Sequence, residues 1–396
     1  MKENWRNNHS ILVTEAHAIG SLAVIRSLGR AGYRVIATSP LEDALGFSSS
    51  YCHASYQQPS YDNPEEFITW LNKILKQEHI DVVIPSEAFL LVIRPWFQHF
   101  QHILPTPKSQ RLVYQALSKC DLFQASIEGG FQEHLPPFAL LGEEDALPSE
   151  DELHLLGEPL FLKVDAVYAR DESPGDVVKC QTSRIAREQL KSLRQRYQKV
   201  LIQGYVPGTG VGVFFAQWQG NTLGEFMHRR VHEVPHTGGV SSLRSAWKHQ
   251  AILADAKRRA THLGWEGVGM FEYRWNPGSD TFSLMEFNSR FWGSLHLALF
   301  AGIDFPRLLV DAIFGHVEPP VTDYPLIQCR LTFPREVEYV FSCLKDPSFS
   351  IVKKLSICLE FGMLGINPKM FSDLNFPGDR ALYIKMMVHS LRRFMS

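Results

Sequence analysis

Residues 264–294 read GWEGVGMFEYRWNPGSDTFSLMEFNSRFWGS. Two runs rich in β-branched and aromatic residues, 268–275 and 281–287, flank a cluster of turn-forming residues at 276–280. Such runs around such a cluster predict a β-hairpin.

A turn centred on Gly278 would place Glu272 opposite Leu284. Because side chains alternate faces along a strand, Glu272, Glu286 and Asn288 then share one face. Glu272 and Glu286 become diagonal neighbours, about 7–8 Å apart at the backbone. Two carboxylates and an amide oxygen at this spacing suit Mg²⁺, which takes oxygen ligands.

The same three residues could instead form a polar, solvated face, since antiparallel strands often face water on one side. Two features argue against that alternative. The strands are otherwise apolar, and Arg290 and the Gly293-Ser294 pair follow at once, on a loop that leads into a predicted helix.

Glu272 followed by Glu286-x-Asn288-x-Arg290-x-x-Gly293-Ser294 resembles the metal-binding core of the ATP-grasp superfamily, and the resemblance spans about residues 11–315. It implies that Glu272, Glu286 and Asn288 hold Mg²⁺, or Mn²⁺ in its place, against the phosphates of ATP. It also implies that Arg290 faces the γ-phosphate or an acyl-phosphate intermediate.

The composition is that of an ordinary globular protein: of 396 residues, 45% are hydrophobic and 21% charged, and the formal net charge is -2. This charge gives no sign of nucleic-acid binding. The six cysteines form no C-x-x-C pair, which favours neither a zinc site nor a disulfide framework and fits a reducing cytoplasm. The chain shows no secretion signal and no apolar run of the ~18–20 residues needed to span a bilayer.

Residues 1–107 are predicted to form an N-terminal domain. A strand at 11–14, a helix at 21–31 and a strand at 33–37 give the βαβ order of a parallel sheet. The loop between them has one glycine rather than G-x-G-x-x-G, so a nicotinamide-linked dehydrogenase is disfavoured. Glu87 follows the strand at 80–84, where ligands bind in open sheets, although Ser86 could equally cap a helix that begins there.

Residues 108–206 are predicted to form the central ATP-binding subdomain. Lys163 ends an apolar strand, where a charge is costly unless an anion meets it. The resemblance implies that Lys119 and Lys163 contact ATP phosphates, although an isolated lysine such as Lys119 is usually a surface residue. It also implies that 171–182 is a flexible lid loop, in which Lys179 either reaches phosphate or lies on the surface. With fewer glycines than is usual in the family, this lid closes less tightly or orders only with substrate.

The strand and hinge at 200–208 resemble the segment that holds adenine in the family. The resemblance assigns Gln203, Tyr205 and Val206 to the adenine site, and the alternative for these residues is hinge core. No acidic residue follows for the ribose hydroxyls, since the chain continues GTGVG.

Residues 207–316 are predicted to form the C-terminal ATP-grasp subdomain. A hairpin over 211–227 is followed by two adjacent arginines, Arg229 and Arg230, and by a glycine loop over 237–242, whose backbone N–H groups can cradle an anion. The stretch resembles the family pattern R-x-x-E-x-P-x-x-G-G-x-S, which runs from Arg230 to Ser241 through Gly238. Arg230 rather than Arg229 is the expected phosphate partner. Histidines at 228, 232 and 236 would form a metal stripe only on a helix, which Pro235 makes improbable, so zinc is disfavoured.

Residues 317–396 are predicted to form a mostly helical extension, with helices at 355–365 and 381–395. A basic amphipathic tail such as 381–395 can lie on a membrane, but packing on the body of the protein is the expected role. The sequence does not fix the oligomeric state, and a homodimer is the commonest assembly.

The fold class predicted from these observations is α/β: a parallel βαβ domain, two α+β subdomains that clasp ATP, and a helical C-terminal tail. The implied activity is that of a cytoplasmic, ATP- and Mg²⁺-dependent ligase that joins a small-molecule carboxylate to an amine through an acyl-phosphate. Lys119, Lys163, Arg230 and Arg290 would neutralise the charge that develops in phosphoryl transfer. The alternative is a protein of the same fold that binds a nucleotide or a small acid without turnover.

Overall fold

The computed structural model describes residues 5–171, 173–236, 239–367 and 369–395. Its strands are β1 Ser10–Val13, β2 Arg34–Ser39, β3 Ala54–Gln57, β4 Ile80–Ile84, β5 Phe138–Leu141, β6 Leu160–Val164, β7 Asp176–Cys180, β8 Val200–Gly204, β9 Thr209–Trp218, β10 Asn221–Val234, β11 Val240–Ala246, β12 Gly267–Asn276, β13 Thr281–Asn288, β14 Gln328–Arg330 and β15 Met370–Ser372.

The α-helices alternate with these strands at first and dominate the C-terminal part. They are α1 Ile19–Ala31, α2 Pro64–Gln77, α3 Glu87–Val92, α4 Phe97–Phe100, α5 Gln110–Gln115, α6 Lys119–Glu128, α7 Glu150–His154, α8 Ser183–Arg196, α9 Gln250–Leu263, α10 Leu295–Phe300, α11 Phe305–Ile313, α12 Val337–Lys345, α13 Ile351–Ile366 and α14 Arg380–Met395.

The first sheet is parallel, in the order β3-β2-β1-β4, as the βαβ pattern predicts. Its strands are buried on both sides. Ile11 and Val13 pack toward α1 and the third sheet, whereas Leu12 packs toward α2 and α3. Ser86 caps α3 by accepting a hydrogen bond from the Phe89 backbone N–H, so Glu87 lies in the first turn of that helix.

The second sheet is antiparallel, in the order β5-β8-β6-β7. One face, which carries Leu160, Leu162 and Ile202, packs on the core beneath α7 and α8. The predicted lid loop at 171–182 is wrong in part, because β7 occupies 176–180 and pairs with β6 along its length. Of the lid segment, Glu172 lies outside the described residues.

The third sheet has seven strands, in the order β13-β12-β9-β10-β11-β14-β15. β10 continues to Val234 and pairs with β11, so residues 240–242 of the predicted glycine loop are strand rather than loop. Gly238 of the predicted anion-binding pattern lies outside the described residues. β14 and β15, which follow residue 316, add two strands to a segment predicted to be mostly helical.

The hairpin predicted from 264–294 forms from β12 and β13, but its predicted register is wrong. Asn276 pairs with Thr281, which leaves a four-residue turn, and a register shift follows between Tyr273 and Glu272. Glu272 therefore lies directly opposite Glu286 rather than diagonal to it. The shift arises because β13 has one more residue than β12 there, a β-bulge at Met285.

The C-terminal extension is attached to the N-terminal domain by a buried ion pair. Arg26 on α1 donates from Nε to Asp379 Oδ2 at 2.8 Å, and both side chains are almost fully buried. The same carboxylate accepts from Ser49 Oγ at 2.8 Å and from the Ser50 backbone N–H at 3.0 Å. In the part of the chain that the structure covers, no helix combines the length and apolarity needed to cross a membrane.

Replacing Asp379 by alanine is expected to lower the free energy of unfolding by about 3–5 kcal/mol, because it leaves the Arg26 guanidinium buried without its carboxylate. Urea denaturation followed by circular dichroism measures this change. Asp323→Ala is the matched control, since Asp323 pairs with Lys248 on the surface and its loss should leave stability unchanged. Equal stability of the two variants would contradict the structural role of the buried pair.

Candidate functional site

The second sheet presents a polar face toward the third sheet. Phe161 pairs with both Lys179 and Gln203 in the ladder, and Lys163 is two residues from Phe161, so all four side chains share that face. Gln203 Nε2 lies 3.5 Å from Sδ of Met285, the bulge residue of β13. The two sheets thus meet at this contact, and we call the space beside it the inter-sheet cleft.

Lys163 is a buried cation in this cleft. Its exposed fraction is 8%, and its ammonium donates to the neutral Gln203 Oε1 at 2.7 Å. Burial lowers the pKa of Lys163, and Glu286 opposes this effect. A buried ammonium whose hydrogen-bond partner is a neutral amide is costly unless an anion also meets it.

Lys119 lies at the start of α6, close to two carboxylates. Its Nζ is 3.3 Å from Asp165 Oδ1 and 4.0 Å from Glu286 Oε2. Burial would lower the pKa of Lys119, but Asp165 and Glu286 raise it. Asp165 also accepts from Ser118 Oγ and from the Lys119 backbone N–H, so it fixes the helix start beside the cleft. Lys119 is therefore held charged and pointed at Glu286.

Glu272, Glu286 and Asn288 lie together on the third sheet, at the wall of the cleft. Glu272 and Glu286 are paired across β12 and β13. Asn288 Nδ2 donates to Glu286 Oε1 at 2.9 Å, and Glu272 Oε2 accepts from Arg230 Nη2 at 2.5 Å. The predicted metal ligands thus share one face, although one of them is already engaged by an arginine.

The pKa values of the two carboxylates shift in opposite directions. Burial raises the pKa of Glu272, and neighbouring Glu286 adds to that rise while Arg230 opposes it. Burial acts in the same direction on Glu286, but Lys119 and the Asn288 hydrogen bond keep its pKa below the usual value. Two paired, half-buried carboxylates with an adjacent amide oxygen are a donor set that fits a divalent hard cation. Among the described residues, no group of three or more His, Cys, Asp or Glu is placed to hold a metal by itself.

Arg230 faces the site, whereas Arg229 is exposed on the other side of β10. Arg230 Nη1 donates to Glu233 Oε1 and to the Gly239 carbonyl, both at 3.1 Å. The carboxylates of Glu272 and Glu233 raise its pKa against the effect of burial. Arg230 therefore connects the strand pair to the loop that follows β10.

Arg290 follows β13 and contacts the N-terminal domain. Its Nε lies 3.5 Å from Glu87 Oε2, and its Nη1 donates to the Phe291 carbonyl at 3.2 Å. These are long contacts for a guanidinium, which leaves the group able to turn toward an anion. The sequence left two roles open for Glu87, a ligand contact and a helix cap. In the structure Glu87 lies in the first turn of α3 and also reaches the site.

The residues predicted to hold adenine are placed differently from one another. Gln203 is buried on the cleft face, Val206 is half-buried, and Tyr205 is exposed after the end of β8. The chain turns there because Gly204 passes against the Leu156 carbonyl, where a Cβ would lie 1.8 Å from the oxygen. Lys179 is exposed, with its ammonium 6.0 Å from the Phe161 ring centre.

Two cavities adjoin the paired carboxylates. The first, of about 610 Å³, lies between Glu87, Lys119 and Glu286 and the segment 174–177. The second, of about 330 Å³, is lined by Glu272, Asn288 and Arg290 among other residues. The carboxylate pair therefore separates two spaces, each large enough for part of a reacting complex.

Some residues of the site were not predicted from the sequence. Asp165 is the one residue of this group that a local pattern could have revealed, because it lies two residues after Lys163 at the end of an apolar strand. Arg244 and Asp373 line the second cavity from β11 and from the C-terminal extension. Their sequence neighbourhoods give no sign that they meet. Of the histidine stripe, His228 and His232 lie on β10, and His232 contacts Glu336 rather than a metal cluster.

Comparison with known proteins agrees with this geometry. Residues 196–330 match the model of a family described as ATP-grasp in the biosynthetic pathway with Ter operon. No curated protein matches the chain by sequence. Among solved structures, the chain is similar to biotin carboxylase from Campylobacter jejuni, in a complex with β,γ-ATP (17% identity, 81% of this chain and 74% of that one, TM-score 0.61).

Two further structures are similar to the chain. One is L-amino acid ligase from Bacillus licheniformis (13% identity, 79% of this chain and 78% of that one, TM-score 0.57). The other is N5-carboxyaminoimidazole synthetase from Staphylococcus aureus, complexed with ADP (15% identity, 81% of this chain and 80% of that one, TM-score 0.59). At identities this low, the structural similarity establishes the fold alone. It confirms the predicted fold class and the resemblance to ATP-grasp proteins.

Replacing Lys163 by methionine is expected to weaken the binding of tripolyphosphate about 10–100-fold, since a charge-assisted hydrogen bond contributes about 1.5–3 kcal/mol. Without the anion, the variant should melt no lower than wild type, because the substitution removes a buried charge. Thermal melting across a tripolyphosphate titration measures both effects. Lys191→Met, on the exposed face of α8, is the control. An unchanged affinity would exclude Lys163 from the anion site.

Proposed function

The chain has the ATP-grasp fold, and from this premise we propose that it is an ATP- and Mg²⁺-dependent ligase. It joins a carboxylate to an amine through an acyl-phosphate and releases ADP and phosphate. The observation that carries the proposal is the half-buried pair Glu272–Glu286 with Asn288, placed between two cavities and flanked by cations.

The first cavity is the place for the ATP phosphates. Lys119 and Lys163 supply two cations beside Glu286, and Lys163 has the neutral Gln203 amide as its hydrogen-bond partner. The segment 174–177 covers this space and is held by Tyr197, whose hydroxyl donates to the Pro174 carbonyl at 2.5 Å. The lining of this space carries one ammonium, Lys119, against the carboxylates of Glu87, Asp165, Asp176 and Glu286, so we assign the phosphates to it together with a divalent cation. Gln203, Val206 and Tyr205, which follow along the same strand and hinge, are assigned to the adenine.

The metal would be held by Glu272, Glu286 and Asn288. A bound Mg²⁺ neutralises phosphate charge and orients the terminal phosphate. Glu272 would hold the ion only after exchanging its contact with Arg230, which would leave that guanidinium able to meet an anion. The donor oxygens of the three residues thus fit the ion.

The second cavity is the place for the acid substrate, because it adjoins the same carboxylate pair and is lined by Arg290. In the first step a substrate carboxylate oxygen bonds to the γ-phosphorus and ADP leaves. In the second step the amine nitrogen bonds to the acyl carbon, phosphate leaves, and the nitrogen loses a proton. Arg230 and Arg290 stabilise the charge on the transferring phosphoryl group, and no enzyme nucleophile is required.

We also propose the substrate type, the compartment and the oligomeric state. The substrates are small molecules, and the cytoplasm supplies ATP and Mg²⁺. All six cysteines are free thiols in the structure, which agrees with a reducing compartment. The chain is proposed to act as a monomer or homodimer.

A second candidate is a protein of this fold that binds nucleotide without turnover. The 2.5 Å contact between Arg230 and Glu272 favours it, because it closes the metal site in this conformation. Calorimetry separates the two candidates. A ligase binds ATP more tightly with Mg²⁺ than without it and releases ADP when its substrates are present, whereas a binding protein releases none.

Replacing Glu286 by glutamine is expected to lower ADP release by about 10²-fold or more, since it removes a charge that holds the ion against the transferring phosphate. A coupled assay for ADP, run with a pool of carboxylates and amines, measures the rate. Glu225→Gln is the matched control, because Glu225 is also buried on the third sheet but pairs with Lys257 away from the cleft.

The same variant should lose the part of ATP binding that depends on Mg²⁺, while the metal-free binding of ATP persists. Wild-type rates of ADP release by Glu286→Gln would remove the metal role from this residue. The comparison of the two variants is valid only if the Glu225→Gln control releases ADP at the wild-type rate.

A further inference from the structure

Helix α13 in the C-terminal extension has an exposed apolar face. Of the 18 large apolar side chains that are exposed in the described part of the chain, six lie on this one helix of 16 residues. They are Ile351, Val352, Leu355, Leu359, Met363 and Ile366, with exposed fractions between 60% and 84%. Single exposed apolar residues are normal on a protein surface, but a contiguous group of them marks a surface that binds a partner.

The opposite face of α13 packs on the body of the protein. Ile357 is buried, and Glu360 Oε1 on the flank of the helix lies 3.6 Å from His232 Nε2. The guanidinium of Arg330 lies 5.3 Å from the centre of the Phe361 ring. The inner face therefore holds the helix in place, and the apolar outer face is presented to a partner.

Five of the six exposed residues form a stripe that is symmetric about its centre. Val352, Leu355, Leu359, Met363 and Ile366 lie at positions -7, -4, 0, +4 and +7 relative to Leu359. At 3.6 residues per turn, all five point within about 40° of the direction of Leu359. The stripe thus has the same spacing of apolar residues in either direction along the helix.

This symmetry is what a two-fold dimer requires, because the same patch then serves both subunits and must be complementary to itself. If two copies of α13 pack antiparallel and cross at Leu359, Val352 lies level with the partner's Ile366. Leu355 lies level with the partner's Met363, and Leu359 lies opposite its own copy. Each apolar residue of the stripe thereby meets an apolar residue.

Small residues beside the centre of the stripe allow the helices to come close. Ser356 and Gly362 lie three residues before and three residues after Leu359, so an antiparallel pair also brings these two positions level. Both residues are exposed, and the space where a Cβ of Gly362 would lie is open. The two helix axes can therefore approach to about 8 Å, the short end of the range for packed helices.

The size and charge of this face favour a second protein copy over a lipid surface. The six side chains offer on the order of 600 Å² of apolar surface, and a stable interface buries about 800 Å² per partner. A helix that lies on a membrane combines a polar face rich in Lys and Arg with aromatic anchors. In α13 the basic residues are Lys353 and Lys354, beside the acidic Glu360, and the six exposed apolar residues include no aromatic ring.

We propose that α13 is a dimerisation helix, which pairs antiparallel with α13 of a second copy of this chain across a two-fold axis at Leu359. The inner face of the same helix carries Ile357, which lines a cavity of about 340 Å³ together with Arg230 and Glu233. The interface therefore covers the outer side of a helix that borders the candidate site. Dimer formation through this face does not require the ligase function.

Sedimentation velocity of the full chain over a concentration series tests the pairing. The wild type should dimerise, and Leu359→Glu should raise the Kd at least about 100-fold, because two buried leucines are lost and two like charges meet at the axis. Leu155→Glu is the matched control, since Leu155 is an equally exposed leucine that lies after α7, and its Kd should equal that of the wild type. A wild type that stays monomeric at the highest concentration, or an unchanged Kd in Leu359→Glu, overturns the proposal.

Cysteine cross-linking tests the antiparallel register. In a Cys358→Ser background, which removes the exposed thiol of the helix, Leu359→Cys should form a disulfide with its own copy on mild oxidation. Leu355→Cys alone should not, because its two copies would lie about 12 Å apart along the helices, whereas Leu355→Cys combined with Met363→Cys should. Non-reducing gel electrophoresis measures the dimer band. Cross-linking of the single Leu355→Cys variant would indicate a parallel pair and overturn the arrangement.

Vesicles of phosphatidylcholine and phosphatidylserine test lipid as the other occupant of this face. Wild-type protein should stay unbound in a flotation assay. Binding of wild-type protein as a monomer, with the binding lost in Leu359→Glu, would assign the face to lipid and overturn the dimer.

Discussion

Two carboxylates half-buried side by side on neighbouring strands are the constraint on which the site depends. Glu272 lies opposite Glu286, and burial by itself would push both toward the neutral form. Lys119, Lys163 and Arg230 surround the pair and offset this cost. The same cations are those that we propose for the phosphates of a nucleotide, so the folded protein and the proposed reaction would use one set of charges.

The sequence predicted the features of the fold and of the site that depend on a local pattern of residues. The hairpin, the shared face of Glu286 and Asn288, and the parallel N-terminal sheet follow from alternation and from turn-forming residues. The register did not follow, since the four-residue turn moves the pairing by one residue and the extra residue Met285 moves it by another, without changing the pattern of apolar positions. Glu272 shares the face in either register, because the predicted and observed pairings differ by two residues.

Contacts between distant segments could not be predicted. Lys119 and Asp165, or Arg244 and Asp373, are far apart in the chain and carry no mark of their partners. The strand β7 was assigned to a loop because its residues 176–180 are mostly exposed, so burial left little pattern in the sequence. The topology of the fold decides which distant residues contact each other, and a single sequence shows no pattern from which those contacts can be predicted.

The candidate site is assembled from three parts of the chain. The matched family segment ends at residue 330, and it contains the carboxylate pair, Arg230 and Arg290. Lys119 and Lys163 lie before this segment, and Asp373 lies beyond it, on the extension that Arg26 and Asp379 attach to the first domain. A substitution in the extension can therefore change the lining of the second cavity while the carboxylate pair stays in place. Because the three parts are far apart in the chain, the fold has to bring them together before either cavity can form.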